Sequence, residues 1–299
     1  MKRTDLAIEA HEIWREQNKA DTGLSGVMVR DYTADGFKVN RVDILDDEGV
    51  RRLNKPAGTY VTFEYRLESH TAPEDFERGV TALAGIIREV LQLREGESVL
   101  VAGLGNGEIT PDALGPETIN NIMVTRHLVE KLPQDFSPLR PVAAISPGVL
   151  GTTGIETGAI VKAVSGEGAL ERVIVVDALA SRSLSRLCST IQIADTGIVP
   201  GSGVGNSRYE LNKESVGVPV LAIGVPTIVD AATLCADLAQ AAGYPIEDAG
   251  QLLPHGGGML VTHKDIDRQI RDVSKLIGYA VNRALHGDLD IKEMDVFLS

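Results

Sequence analysis

Apolar residues Leu6, Ala10, Ile13 and Trp14 are spaced to share one face of a helix over residues 6–17. Beyond it the period shortens to two. Val27-Met-Val-Arg and Phe37-Lys-Val-Asn-Arg-Val flank Asp35-Gly36, a dipeptide suited to a tight turn between antiparallel strands. Val61, Phe63, Tyr65 and Leu67 then alternate with Thr62, Glu64 and Arg66, as in a strand with one wet face. From residue 75 the rhythm changes again. Val80, Leu83, Ile87, Val90 and Leu91 mark a helix that leads into the apolar run Ser98–Ala102. Similar short runs follow at 142–145, 173–176 and 218–223, separated by helical stretches near 116–131, 154–164 and 229–243, and a last strong helix covers 264–285. Runs without alternation suit strands covered on both faces. The pattern therefore predicts the α/β class: a three-layer α/β/α arrangement with a mainly parallel sheet and an appended antiparallel β region. No internal repeat or linker interrupts it. One domain is expected over 1–299, comprising an N-terminal helical segment (1–25), the antiparallel region (26–67) and the α/β core (75–299).

Composition narrows the picture. Hydrophobic residues make up 43% of the chain but aromatics only 4%, so the core should be aliphatic. No apolar run approaches the ~18 residues of a membrane span, and the charged start Met1-Lys-Arg does not resemble a secretory signal. The two cysteines, Cys188 and Cys235, sit among apolar neighbours and read as buried packing residues. That usage excludes a disulfide framework and suits a reducing cytoplasm. A net charge of −13 argues against nucleic-acid binding, which needs Lys and Arg for phosphate.

In sheets of this kind ligand sites gather at the carboxyl ends of the strands. Three segments are expected there. Gly103-Leu-Gly-Asn-Gly-Glu-Ile-Thr-Pro-Asp112 follows the run 98–102 and carries Asn106. Asp177 directly follows the run 173–176, and Asp195 opens a glycine-rich stretch that contains Gly203. Two carboxylates in one crevice, Asp112 and Asp177, could activate water and protonate a leaving group, because like charges push their titrations apart. Each acid could equally cap the helix that follows it, and the residues alone leave both roles open. The glycine loops match neither the dinucleotide fingerprint, since Glu108 stands where a third glycine is needed, nor a phosphate loop. Ser202 does not sit in a nucleophile elbow. His11, His70, His127, His255, His263 and His286 lack ligand spacing, so no metal and no cofactor is expected.

At these same segments the chain resembles the germination protease family of spore-forming bacteria. The likeness is carried by Arg3-Thr-Asp-Leu-Ala-Ile-Glu-Ala, Gly103-Leu-Gly-Asn, Thr110-Pro-Asp-Ala-Leu-Gly-Pro, Val124-Thr-Arg-His and Pro147-Gly-Val-Leu-Gly-Thr-Thr-Gly. It continues in Asp177-Ala-Leu-Ala-Ser-Arg, Thr190-Ile-Gln-Ile-Ala-Asp-Thr-Gly, Pro200-Gly-Ser-Gly-Val-Gly-Asn and Gly224-Val-Pro-Thr-Ile-Val-Asp-Ala. The resemblance implies an endopeptidase that begins the degradation of small acid-soluble spore proteins during germination. It also implies a homotetramer in the spore core, with no nucleic-acid or membrane partner. The family's two essential aspartates fall at Asp112 and Asp177. Asn106, Asp195 and the loop amides around Gly148 and Gly203 are expected to hold substrate or to support the pair. The family is also distantly similar to hydrogenase maturation peptidases, whose nickel-binding His has no counterpart here. Two rival readings remain: a metal-dependent peptidase of that type, and a non-enzymatic protein that binds a ligand with its glycine loops.

The family's substrates are cut in motifs of the type Thr-Glu-Phe-Ala-Ser-Glu, between acid and apolar residue. Thr4-Asp5-Leu6-Ala7-Ile8-Glu9 imitates that motif, which makes Asp5–Leu6 the expected self-processing bond, once unwound from the first helix. Thr4 and Asp5 as plain helix caps is the competing reading. Two departures from the family stand out: the stretch before Leu6, expected to be a shortened prosegment, and a brief segment between Ala242 and Leu252.

Overall fold

Asp35 and Gly36 both adopt positive φ, 49° and 88°, the turn geometry whose twist matches the strands it joins. In the computed structural model, which describes residues 4–18, 23–66, 72–136, 138–201, 209–244, 258–287 and 289–299, that turn closes a hairpin. Its strands β1 (Val27–Ala34) and β2 (Phe37–Ile44) pair antiparallel along their length. Helix α1 (Ala7–Asn18) precedes the hairpin, and α2 (Asp47–Leu53) follows it, capped by the Asp46 carboxylate on the Glu48 and Gly49 amides. β3 (Gly58–Glu64) then joins β2 antiparallel, and α3 (Pro73–Leu91) leads into β4 (Val99–Gly103).

Beyond β4 the helices depart from their expected lengths. The stretch 116–131 is two helices, α4 (Leu114–Ile119) and α5 (Arg126–Lys131), followed by the short α6 (Pro133–Phe136). The break has a visible cause. Asn282 accepts the Met123 amide at 2.9 Å and donates to the Asn121 carbonyl at 2.9 Å, capturing peptide groups that a helix would need. After β5 (Val142–Ile145), the short α7 (Leu150–Thr153), ended by Gly154, precedes α8 (Thr157–Glu167), which is the helix expected near 154–164.

β6 (Arg172–Ser181) and β7 (Thr190–Ala194) come next, then α9 (Lys213–Val216), β8 (Val220–Asp230), α10 (Ala231–Ala241) and β9 (Leu260–Val261). A long helix, Ile266–His286, and a final one, Ile291–Leu298, end the chain. The nine strands form one mixed sheet in the order β1-β2-β3-β7-β8-β6-β4-β5, with β9 against β8. The parallel core is β8-β6-β4-β5. The antiparallel region continues the same sheet rather than lying beside it, because β7, unmarked by the hydrophobic pattern, bridges β3 to β8.

Alternation along the strands sorts side chains onto two faces. Val61, Phe63, Val101, Ile174 and Ile191 face α3 and the long helix in the largest core. The opposite face carries two smaller cores. Leu100, Val173 and Val175 pack with Val161 of α8, while Tyr60, Leu179 and Ala194 pack with Leu6, Ala7 and α2. Each fully buried aliphatic side chain contributes about 1.5–3 kcal/mol. Between these two cores runs a polar row. Thr62, Gln192, Gly224 and Asp177 are cross-strand neighbours on β3, β7, β8 and β6, and therefore emerge on one face.

Candidate active site

Asp177 lies inside β6, not after it, because residues 178–181 continue to pair with β8. Within a strand it has no helix to cap. It is 5% exposed, and its carboxylate accepts the Ala178 amide at 2.9 Å. Burial, first, and the Asp112 charge, second, push its titration well above the usual carboxylate range; the Ala178 amide opposes them and Asp5 adds to them. The buried acid favours its neutral form.

Asp112 is brought to the same place by the loop after β4. Gly105 takes φ +106, and a Cβ there would meet the Asp112 carbonyl oxygen at 2.1 Å, so glycine is required for the loop to fold back on itself. A 3-10 turn, Thr110–Asp112, presents the half-buried acid. Its Oδ2 accepts the Asn106 amide at 2.8 Å. Thr227 of β8 donates to the Pro111 carbonyl at 2.6 Å and Thr262 donates to the Thr227 carbonyl at 2.7 Å, which pins the loop to the sheet. Asp112 and Asp177 line one cavity of about 350 Å³ together with Asp5 and Val199. A neighbouring cavity of about 440 Å³ shares Asp5, Leu179 and Val199, and is lined by Lys55, Gln192 and Asn212.

The other expected residues are distributed as follows. Asn106 supports Asp112 through its backbone, while its side chain accepts the Glu108 amide in a local turn. Asp195 turns away from the acid pair and accepts the Thr59 amide at 2.8 Å, tying β3 to β7. Gly148, at φ +72, accepts from Thr157, which lines the acid cavity. Gly203 lies outside the described residues, as do His70 and His255. Cys188 is buried, but Cys235 is exposed on α10, contrary to its apolar sequence surroundings. Among the described residues no group of three or more His, Cys, Asp or Glu is placed to share an ion.

Residues 4–6 precede α1, which begins at Ala7, while Ala7, Ile8 and Glu9 of the expected motif lie in the helix and the Leu6 carbonyl accepts the Ala10 amide. Asp5 pairs with β6 in both directions. Its amide donates to the Ala180 carbonyl at 2.9 Å, and its carboxylate accepts the Ala180 amide at 2.8 Å. Thr4 does serve the helix end, accepting the Leu6 amide at 3.0 Å and donating to Glu9. Glu9, 1% exposed, also accepts the Arg182 and Ser183 amides at 2.7 and 3.1 Å. Two residues of this cleft escaped the sequence reading. Gln192 had one signal, a polar residue inside the apolar run Thr190-Ile-Gln-Ile-Ala. Lys55, whose titration burial lowers and Asp5 and Glu9 raise, had none.

An α/β sheet with two carboxylates lining one cleft suits the hydrolase class. Residues 7–242 match the profile of the family described as Germination protease, and the chain belongs to that family. It is 43% identical to the germination protease of Caldanaerobacter subterraneus subsp. tengcongensis, over 99% of this chain and 98% of the relative. The germination protease of Clostridium tetani is 40% identical, over 99% of each chain. That of a Geobacillus species is 36% identical, over 96% of this chain and 94% of the relative. The chain is thus a peptidase, with a role in germination. No helix among the described residues is long and apolar enough to cross a membrane.

Proposed function

We propose that this chain is an endopeptidase that begins the breakdown of small acid-soluble spore proteins, using Asp112 and Asp177 as its working pair. The observation that carries the reading is their convergence in one cavity, with Asp177 the more buried of the two. Asp177, buried beside another acid, favours the proton-bearing state, while Asp112 is half-buried and accepts the Asn106 amide. In this mechanism the Asp112 carboxylate takes a proton from water as the water oxygen attacks the peptide carbonyl. Asp177 gives its proton to the departing nitrogen as the C–N bond breaks. Residues 1–299 act as a single peptidase domain, a reading supported by one sheet running through the β region and the core. The family resemblance further supports a homotetramer in the spore core.

Asp112→Asn and Asp177→Asn test the pair. Each keeps the side-chain shape but cannot exchange a proton near neutral pH. Each is expected to lower turnover of a small acid-soluble spore protein by about 10³-fold or more, comparable with losses on removing a member of a catalytic set. Near-native turnover in either variant would return that residue to a structural role.

A further inference from the structure

We infer that Gln192 is the group that grips the peptide across the bond to be cut and polarises its carbonyl. The inference rests on the reading above that Asp5–Leu6 is a processed bond; the chain's own residues 5–7 then stand in for a peptide substrate. Gln192 is 8% exposed. Its Oε1 accepts the Ala7 amide at 2.7 Å, and its Nε2 donates to the Asp5 carbonyl at 3.3 Å. The Asp5 carbonyl is the carbonyl of the Asp5–Leu6 bond, and the Ala7 amide lies one residue beyond Leu6. The two partners fix the side-chain orientation, because a backbone N–H can only meet the oxygen end of the amide and a carbonyl only the nitrogen end.

The sheet register supplies a second, independent reason. Gln192 pairs across to Gly224, and Gly224 pairs across to Asp177, so the amide and the buried acid rise from one face of the sheet. They stand two strands apart, about 10 Å between backbones. Between them the Leu179 side chain covers Gly224, where a Cβ would meet Leu179 Cδ1 at 2.4 Å, so glycine is required at that position. Gln192 lines one cavity and Asp177 the neighbouring one, and Asp5 lines both. Gln192 is held in β7, and in the resting chain residues 5–7 fix its side-chain orientation. Its N–H is therefore pre-aimed at the oxygen on which negative charge develops when water attacks. The bond at 3.3 Å in the resting chain has room to shorten as that charge grows.

The experiment compares the native chain with Gln192→Glu, Gln192→Leu and Asp177→Asn, each checked by thermal unfolding. The probes are a synthetic peptide of residues 1–12 and its ester analogue, in which oxygen replaces the amide nitrogen of Ala7. Gln192→Glu keeps the acceptor and loses the donor near neutral pH, so kcat should fall about 10²-fold, as for loss of an oxyanion donor. Its KM should stay within about threefold of native, since the acceptor half of the grip survives. Gln192→Leu should lose kcat to the same extent and raise KM as well. The ester should raise KM for the native chain and Gln192→Glu but not for Gln192→Leu. Native kcat in Gln192→Glu overturns the inference, and so does an ester that the native chain handles as well as the amide. The second result is read on native protein and holds even where a variant fails to fold. An inactive Asp177→Asn beside native-like Gln192 variants sinks this inference alone. An active Asp177→Asn sinks the two-aspartate reading and this inference with it.

Discussion

Asp177 sits at a depth where an ionised carboxylate is costly, and the consequence reaches beyond catalysis. In the unfolded chain it titrates in the ordinary carboxylate range; in the folded chain it titrates above it. Below the unfolded value both states hold the proton and the group exerts no pH-dependent strain. As pH rises the unfolded chain ionises first, so stability falls until pH has passed the folded value. Asp177→Asn cannot ionise and escapes that loss. It is expected to melt above the native protein near neutral pH and to match it in acid below the carboxylate range. Thermal unfolding of both proteins across that span checks the sign; parallel curves would mean that the native acid is not held neutral. Asp112 and Asp177, expected in one crevice from their places after apolar runs, line one cavity. The sequence could not reveal that one is buried within a strand and the other presented by a turn, since burial depends on what packs above the residue.

At the scale of elements the N-terminal segment is the informative case. Asp5 is tied to the end of β6 through both Asp5–Ala180 bonds, just before α1 starts. The likeness of Thr4-Asp5-Leu6-Ala7-Ile8-Glu9 to the family's substrate motif was an expectation from the sequence, and the helix expected from residue 6 begins at Ala7. The apolar periodicity that marks α1 includes Leu6, whereas the structure spends Leu6, fully buried, on the core beside Tyr60 and Leu179. The prediction is loss of residues 1–5 when the purified chain is held at mildly acidic pH, and retention of Met1 or Lys2 in Asp177→Asn. Intact-mass spectrometry reads both. A native terminus that stays whole while the protein digests spore protein would show that activity needs no such cut. The same scale accounts for the broken helix around 120–125: periodicity spoke for one helix, and Asn282, far along the chain, claims its peptide groups.

At the scale of the whole molecule, the proposed tetramer is the remaining expectation. Sedimentation equilibrium of the purified chain should give four chains per particle, and a single chain at micromolar concentration would count against it. The final helix offers a surface to examine first, since Val296 and Phe297 are exposed at its end and Phe297 meets Phe136 edge-on. What the sequence determined by itself was local or motif-borne. Alternation at 27–44 marked the hairpin, Asp35-Gly36 its turn, unbroken apolar runs the parallel strands, and the long ordered motifs the family. Only the tertiary structure decided that β7 joins the two halves into one sheet, and that Gln192, Gly224 and Asp177 stand in one row. The physical reason is that register between distant strands follows from which faces find apolar cover. Three cores set that here, and no window of neighbouring residues contains it.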